Sequence, residues 1–310
     1  MDDRYRRLHA SAHPNGGFWL REDARAAGFS DTSITDHVSS GRWCVWFGHV
    51  LAPAGMPQAW EQRVRAAFLR IGPDAVLTGR SAARLWQLAG FDRTEALEFL
   101  VPRDHTPRIP GIRLSRDDRL REDEVVAFTI LPRVANVTRT LRSLARLVPE
   151  DVLARAAADG FRLGRTSPGD LQREILAHPG VPGNPRLSRV VRRLDPRMAR
   201  AREVSETDVI ETLVAIGVDG FEVNVRKVLG CGRPVEVDIL LLADDDHDEA
   251  VLEVDGDRYH GDVLARRHDA ERRRAIRADG YPVEVVPARH ARDHVLVTEA
   301  VRRLRAQARR

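Results

Sequence analysis

The run RPVEVDILLLADDDHDEAVLEVDGDRYHGD, residues 233–262, decides how the C-terminal third of this chain folds. Arg233 to Leu242 has the length and β-branched content of a strand. Side chains alternate along a strand, so Val235, Val237, Ile239 and Leu241 are expected on one face. Glu236, Asp238 and Leu240 are then expected on the other. Ala250 to Val254 reads as the next strand, with Leu252 and Val254 facing one way and Val251, Glu253 and Asp255 the other. The acidic loop Asp244 to Asp248 joins the two as a solvated hairpin turn.

Outward from this hairpin the order of elements is clear. Glu206 to Ile216 is a helix with Val209, Ile210 and Leu213 on one side, ended by Gly217. Phe221 to Val228 is a strand, Asp262 to Asp279 a long helix stopped by Gly280, Val283 to Val286 a strand, and Asp293 to Arg305 a closing helix. That order, αβββαβ with a final helix, predicts a mixed sheet in a chain of α/β (α+β) class. A boundary is expected near residue 200, after the Pro- and Gly-containing stretch from Pro182 and the basic helix that follows it.

The polar residues on these strands carry the chemistry. An aspartate within an apolar run costs several kcal/mol of desolvation unless it is paired or metal-bound. Glu253 and Asp255 on one strand face repel each other, and a cation bridging them to Asp238 removes the conflict. Carboxylate oxygens favour hard ions, so the expected metal is Mg²⁺ or Mn²⁺, held by Asp238, Glu253 and Asp255. Such an ion polarises a phosphodiester and activates water. The same residues also allow plainer roles: a satisfied structural acid at Asp238, a packing histidine at His260, a solvated face for the arginines between 266 and 277.

The pattern Asp238, Glu253-Val254-Asp255-Gly256, Tyr259-His260 and Asp269-Ala270-Glu271-Arg272 resembles the PD-(D/E)XK nuclease superfamily. Within it, the likeness is to an endonuclease-like domain of unknown function related to very-short-patch-repair endonucleases. VDILLL (237–242), LEVDGDRYHGD (252–262) and RHDAERRRAIRADGYPVEVV (267–286) carry the resemblance. It implies metal binding by Asp238 and Glu253, with the Val254 carbonyl as a further ligand. Glu206 matches the acid on the superfamily's first helix; Glu211 competes, and Glu206 is preferred for its spacing to Gly217. His260 matches a general base or water-positioning group, and Arg272 and Arg273 would contact the scissile phosphate or the DNA backbone. Asp255 stands where the superfamily carries a lysine. It is either a further metal ligand or the mark of a site that binds DNA without cutting it.

The first two thirds read differently. Leu20 to Ala27 and Thr32 to Ser39 are helices joined by a turn at Gly28-Phe29-Ser30, with Ser30 or Asp31 as cap. Trp43 to Leu51 is of strand type. Residues 1–56 thus have the order of a winged helix-turn-helix, a DNA-binding unit. LREDARAAGFSDTSITDHVSSGRW (20–43) and VWFGHVLAPAG (45–55) resemble the N-terminal domain of AbiEi-type antitoxins. Residues 57–200 form a mixed α/β middle region. It includes a helix from Trp60 to Ile71, a strand and helix in 75–90, strands at Leu97–Arg103 and Gly111–Arg116, and a strand leading into a helix over 126–148. TGRSAARLWQL (78–88) and LPRVANVTRTLRSLA (131–145) resemble the segment that follows the winged helix in AbiEi-like proteins. The last unit is expected over 201–310.

Composition fits these readings. The formal net charge is +4, and Lys227 is the one lysine among 50 basic residues, so a site that needs lysine has a single candidate. Arginine grips phosphate in bidentate fashion. Two cysteines, Cys44 and Cys231, offer neither a zinc knuckle nor a disulfide framework. No apolar run reaches membrane-span length and the first residues are charged, so a cytoplasmic protein with no membrane partner is expected. The expected function is metal-dependent cleavage of DNA in repair or defence. The alternatives are a DNA-binding regulator or antitoxin-like protein whose nuclease-like domain does not cut, and an interaction module for a partner protein of a toxin–antitoxin or defence system.

Overall fold

In the computed structural model, residues 2–103, 108–117, 120–128, 131–198, 200–201, 204–255 and 263–309 are described, with 131–132 and 263–267 as backbone. Mixed sheets and helices place the chain in the α+β class. Two compact units divide it, Met1–Arg165 and Thr166–Arg310.

In the first unit, α1 (Asp3–Ala12), β1 (Trp19–Leu20), α2 (Arg21–Ala26), α3 (Asp31–Ser39), β2 (Trp43–Trp46) and β3 (Val50–Pro53) come first. Ser30 caps α3 by accepting from the Ser33 amide, at 3.2 Å. The three strands pair in the order β1-β3-β2, and Trp19, Phe29, Ile34 and Trp43 fill the core beneath them. The helix α1 lies in a stretch that the sequence presents only as charged. Its apolar residues Leu8 and Ala12 are buried against this core. There follow α4 (Trp60–Ile71), β4 (Val76–Leu77), α5 (Gly79–Leu85), β5 (Glu98–Val101), β6 (Arg113–Arg116), β7 (Val125–Phe128), β8 (Leu131–Ala135), α6 (Val137–Leu144) and α7 (Glu150–Arg162). Their sheet runs β6-β5-β4-β8-β7. The stretch expected as one strand before α6 is two, β7 and β8, paired antiparallel. The helix expected to reach Gly90 stops at Leu85, and Gln87 just beyond it is left-handed at φ 58°.

The second unit begins with α8 (Pro168–Ala177) and α9 (Asn184–Leu194), then α10 (Val204–Ala215). The sequence groups α8 and α9 with the middle region, because Pro182 and Gly183 read as a linker. Here Gly183, left-handed at φ 100°, only starts α9. Arg173 on α8 pairs with Asp219 at 3.0 Å, and Arg192 on α9 with Glu211 on α10 at 2.5 Å, fastening both helices within the second unit. Next come β9 (Phe221–Val228), β10 (Pro234–Leu241), β11 (Ala250–Asp255), α11 (Val263–Ala278), β12 (Val283–Pro287) and α12 (His294–Gln307). The sheet order is β12-β11-β10-β9. β9, β10 and β11 are antiparallel neighbours, and β12 is parallel to β11. Among the described residues, no helix is long and apolar enough to cross a membrane.

Two cores sandwich this sheet. Leu252, Ile239, Leu241, Val223 and Phe221 pack with α10 and α12. Val251, Leu240, Val235 and Val237 pack with Ile276 of α11. The expected facing of β10 is therefore corrected. Val235 and Val237 lie in the α11 core while Ile239 and Leu241 lie in the opposite one, so alternation breaks at Asp238. β9 breaks at the same row, since Val225 packs in the α11 core and Val223 in the other. Asn224, opposite Asp238 in the register and left-handed at φ 50°, supplies the irregularity.

Beyond that row the β9–β10 hairpin folds back. In a flat sheet Lys227, opposite Val235, would sit more than about 20 Å from Glu249 at roughly 3.3 Å per residue. Instead Lys227 Nζ donates to the Glu249 carboxylate and to Tyr281 Oη at 3.2 Å. The Gly230 amide, at the hairpin tip, donates to Asp279 Oδ1 at 2.6 Å. The outer half of the hairpin thus lies over the α11 side of its own sheet.

Candidate active site

The β10–β11 ladder pairs Leu241 with Ala250, Leu240 with Val251 and Ile239 with Leu252, and then stops. Asp238 and Glu253 are the next residues in that register. The two carboxylates therefore stand where the strands part. Asp238 Oδ2 takes over the ladder's role by accepting from the Val254 amide at 2.8 Å.

Glu253 is buried and shares the α11 side with Val251. One turn-facing residue of α11 meets it: Arg272 donates through Nη2 to Oε2, and through Nη1 to Oε1 at 3.4 Å. The same Nη1 donates to the Glu236 carbonyl on the folded-back hairpin at 2.7 Å. Burial pushes Glu253 up to about 7, and the charge of Asp238 adds to this, while Arg272 and Arg273 draw it back. Burial likewise raises Asp238. The Val254 amide and Arg272 oppose that rise, and the charges of Glu206 and Asp269 reinforce it.

Glu206 lies in the first turn of α10, buried, and Oε2 accepts from Asn224 Nδ2 at 2.9 Å. The same amide donates to the Arg200 carbonyl at 2.7 Å. Of the two acids that compete for this position, Glu206 is the one whose charge reaches Asp238; Glu211 is held by Arg192. Asn224 is a site residue that the sequence reading missed. The available signal was an asparagine, the side chain most tolerant of left-handed backbone after glycine, in mid-strand.

The remaining expectations separate. Asp255 ends β11 exposed, in register with Pro287. No three of Glu206, Asp238, Glu253 and Asp255 bring carboxylate oxygens all within 4.8 Å of one another. Asp238 and Glu253 are adjacent; the expected trio with Asp255 is not gathered. His260 lies outside the described residues, as do 256–262 generally. Arg273 is half-buried, and its charge bears on Glu253. Lys227 is committed elsewhere: burial works against its charge, yet Glu249 and Tyr281 outweigh it and hold Lys227 above its ordinary value. The acidic loop is a turn in which Asp244 Oδ1 accepts from the Asp246 and His247 amides and from His247 Nδ1 at 2.7 Å.

No protein-family model matches the chain, and no curated protein matches it. Among solved structures, the RV2827C protein from Mycobacterium tuberculosis is similar at 15% identity and a TM-score of 0.46, over 62% of this chain and 77% of that one.

Proposed function

We propose that the second unit is a metal-dependent DNA endonuclease of PD-(D/E)XK type, hydrolysing phosphodiester bonds. One observation carries this reading: Asp238 and Glu253 occupy the row where β10 and β11 part, Glu253 buried and Asp238 half-buried, each raised by burial, with the charge of Asp238 adding to the rise at Glu253. A structural pair of acids has no reason to accept that conflict, whereas a site for a cation does. The donor set fits Mg²⁺ or Mn²⁺, because it is all carboxylate oxygen and Glu206 adds a third acid within electrostatic reach. Bound there, such an ion would supply Lewis acidity to the phosphate and lower the proton affinity of a water.

The chain's own groups would do the rest. Asp238, fixed by the Val254 amide, orients its second oxygen. Glu206, fastened by Asn224, holds negative charge beside it. Arg272 and Arg273 on α11 supply positive charge in place of the lysine that β11 lacks. In the first unit, α3 presents Thr32, Thr35 and Ser39 beside Asp31 and Asp36, with no arginine on its exposed side. Phosphate contacts in this reading come chiefly from α11.

The test is cleavage of supercoiled plasmid with Mg²⁺ or Mn²⁺. Wild type should nick or linearise it, and Asp238→Ala and Glu253→Gln should lose activity by about a hundredfold or more. Equal cutting by wild type and Asp238→Ala would end the enzyme reading. A second reading, DNA binding without cutting, is favoured by the Arg272 fork already seated on Glu253. Salt-dependent binding with no metal-dependent cleavage would select it.

A further inference from the structure

Arg272 is placed as no phosphate-binding arginine needs to be. Its guanidinium forks onto a carboxylate that is 2% exposed, and it also donates to the Glu236 carbonyl. Glu253 is too enclosed to hold this fork and a metal ion together in the present arrangement. Arg272 itself is 27% exposed, so its head has a way out. One turn earlier on α11 stands Asp269, with an oxygen 3.8 Å from Nη2 and a half-exposed side chain. The guanidinium therefore has an inner acceptor, Glu253, and an outer one towards solvent, where a phosphate would approach.

We propose that Arg272 is the resident counter-cation of the Asp238–Glu253 pair, and that it exchanges with a divalent metal by swinging outward to a DNA phosphate. Metal and DNA then bind cooperatively, because the metal releases Arg272 outward to the phosphate and the phosphate holds Arg272 away from the carboxylates that the metal needs, and the coupling is reciprocal. This rests on the metal-site reading above and adds a residue that opposes metal binding until substrate arrives. Arg272 is a gating and positioning residue here.

The experiment is titration of the full chain with Mn²⁺, following the free ion by electron paramagnetic resonance, with and without a short DNA duplex. Wild type should bind Mn²⁺ weakly alone and about tenfold or more tightly with duplex. Arg272→Gln should bind Mn²⁺ about tenfold or more tightly without DNA and gain little from the duplex. Arg272→Lys, which keeps the charge and loses the fork, should fall between and guards against misfolding of the glutamine variant. Glu253→Gln should abolish binding in every background. If Glu253→Gln abolishes binding but neither Arg272 variant tightens it, the exchange is overturned and the metal site stands. If Glu253→Gln binds as wild type does, or no protein binds Mn²⁺, the metal-site reading fails and the exchange fails with it.

Discussion

Two glutamates, each in a central part of a sheet and each nearly sealed, sit in opposite circumstances. Glu98 on β5 is 3% exposed and Glu253 on β11 is 2% exposed, and each meets an arginine fork. Glu98 receives Arg80 Nε at 3.0 Å and Nη2 at 2.7 Å, with Arg113 at 3.5 Å. Its second oxygen accepts the Arg80 amide at 2.7 Å, in the first turn of α5, where helix geometry leaves amides unpaired and favours an anion. Both of its carboxylate oxygens are thus met by donors. Glu253 has one arginine in contact, a second acting through its charge, and beside them Asp238. Burial alone thus does not mark a functional carboxylate. What distinguishes the two is whether the surroundings resolve the charge or leave it in conflict, a conflict that the cation proposed above would resolve.

The comparison breaks most visibly if the two respond alike to losing their charge. Glu98→Ala should destabilise the first unit by about 3 kcal/mol, because it removes a buried anion and leaves both a guanidinium and a helix amide unpaired. Urea unfolding measures this. A loss under about 1 kcal/mol would mean that Glu98 is no better satisfied than Glu253.

Gly79→Ala should cost about 2 kcal/mol. Gly79 is left-handed at φ 56°, and a Cβ there would stand 2.3 Å from Glu98 Oε2. The close approach that satisfies Glu98 depends on that missing side chain. An unchanged midpoint in urea would show that the carboxylate has room to retreat.

Glu253→Gln should act in the other direction, stabilising the second unit by about 1 kcal/mol above pH 7. The sign follows from proton binding. Between the ordinary glutamate value of 4.5 and about 7 the folded chain holds a proton on Glu253 that the unfolded chain has released. This group's contribution to stability therefore falls as pH rises through that window and is regained on acidification. Raised Asp238 acts in the same sense. Thermal midpoints across the window should show the slope in wild type and a shallower one in Glu253→Gln. A variant less stable than wild type above pH 7 would make Arg272 a net stabiliser of the pair.

Much of this arrangement was legible in the sequence. The β9, β10 and β11 runs alternate well enough to set their bounds, and the acids at 238 and 253 stand out because an apolar strand does not carry a charge without cause. The fold-back was not legible. Val237 and Ile239 are both apolar, so a reversal of faces between them leaves no trace in the pattern. The partner of Arg272 was also hidden, because an arginine on a basic helix reads as a phosphate contact until the strand beneath it is placed. Lys227 shows the same limit: its pairing with Glu249 arises only once the hairpin doubles over. Sequence periodicity reports faces within one element, and these three features belong to contacts between elements.

The smallest effect bears on what holds the conflict in place. Asn224 both turns the strand and ties down Glu206, and two substitutions separate these duties. Asn224→Gly keeps the left-handed backbone at no steric cost and loses the two hydrogen bonds, so it should cost about 1 kcal/mol. Asn224→Ala loses the bonds and adds strain, for about 1 kcal/mol more. If both variants cost the same, the backbone at 224 relaxes and the fold-back has another cause. Asn224→Asp keeps the shape but sets a carboxylate 2.9 Å from Glu206, where the native amide donates. It should be less stable than Asn224→Gly, and adding Glu206→Gln should restore the lost stability by re-forming the bond with donor and acceptor exchanged. Rescue by that exchange would show that the amide–carboxylate bond, and not merely the volume of the side chain, keeps Glu206 where its charge reaches Asp238.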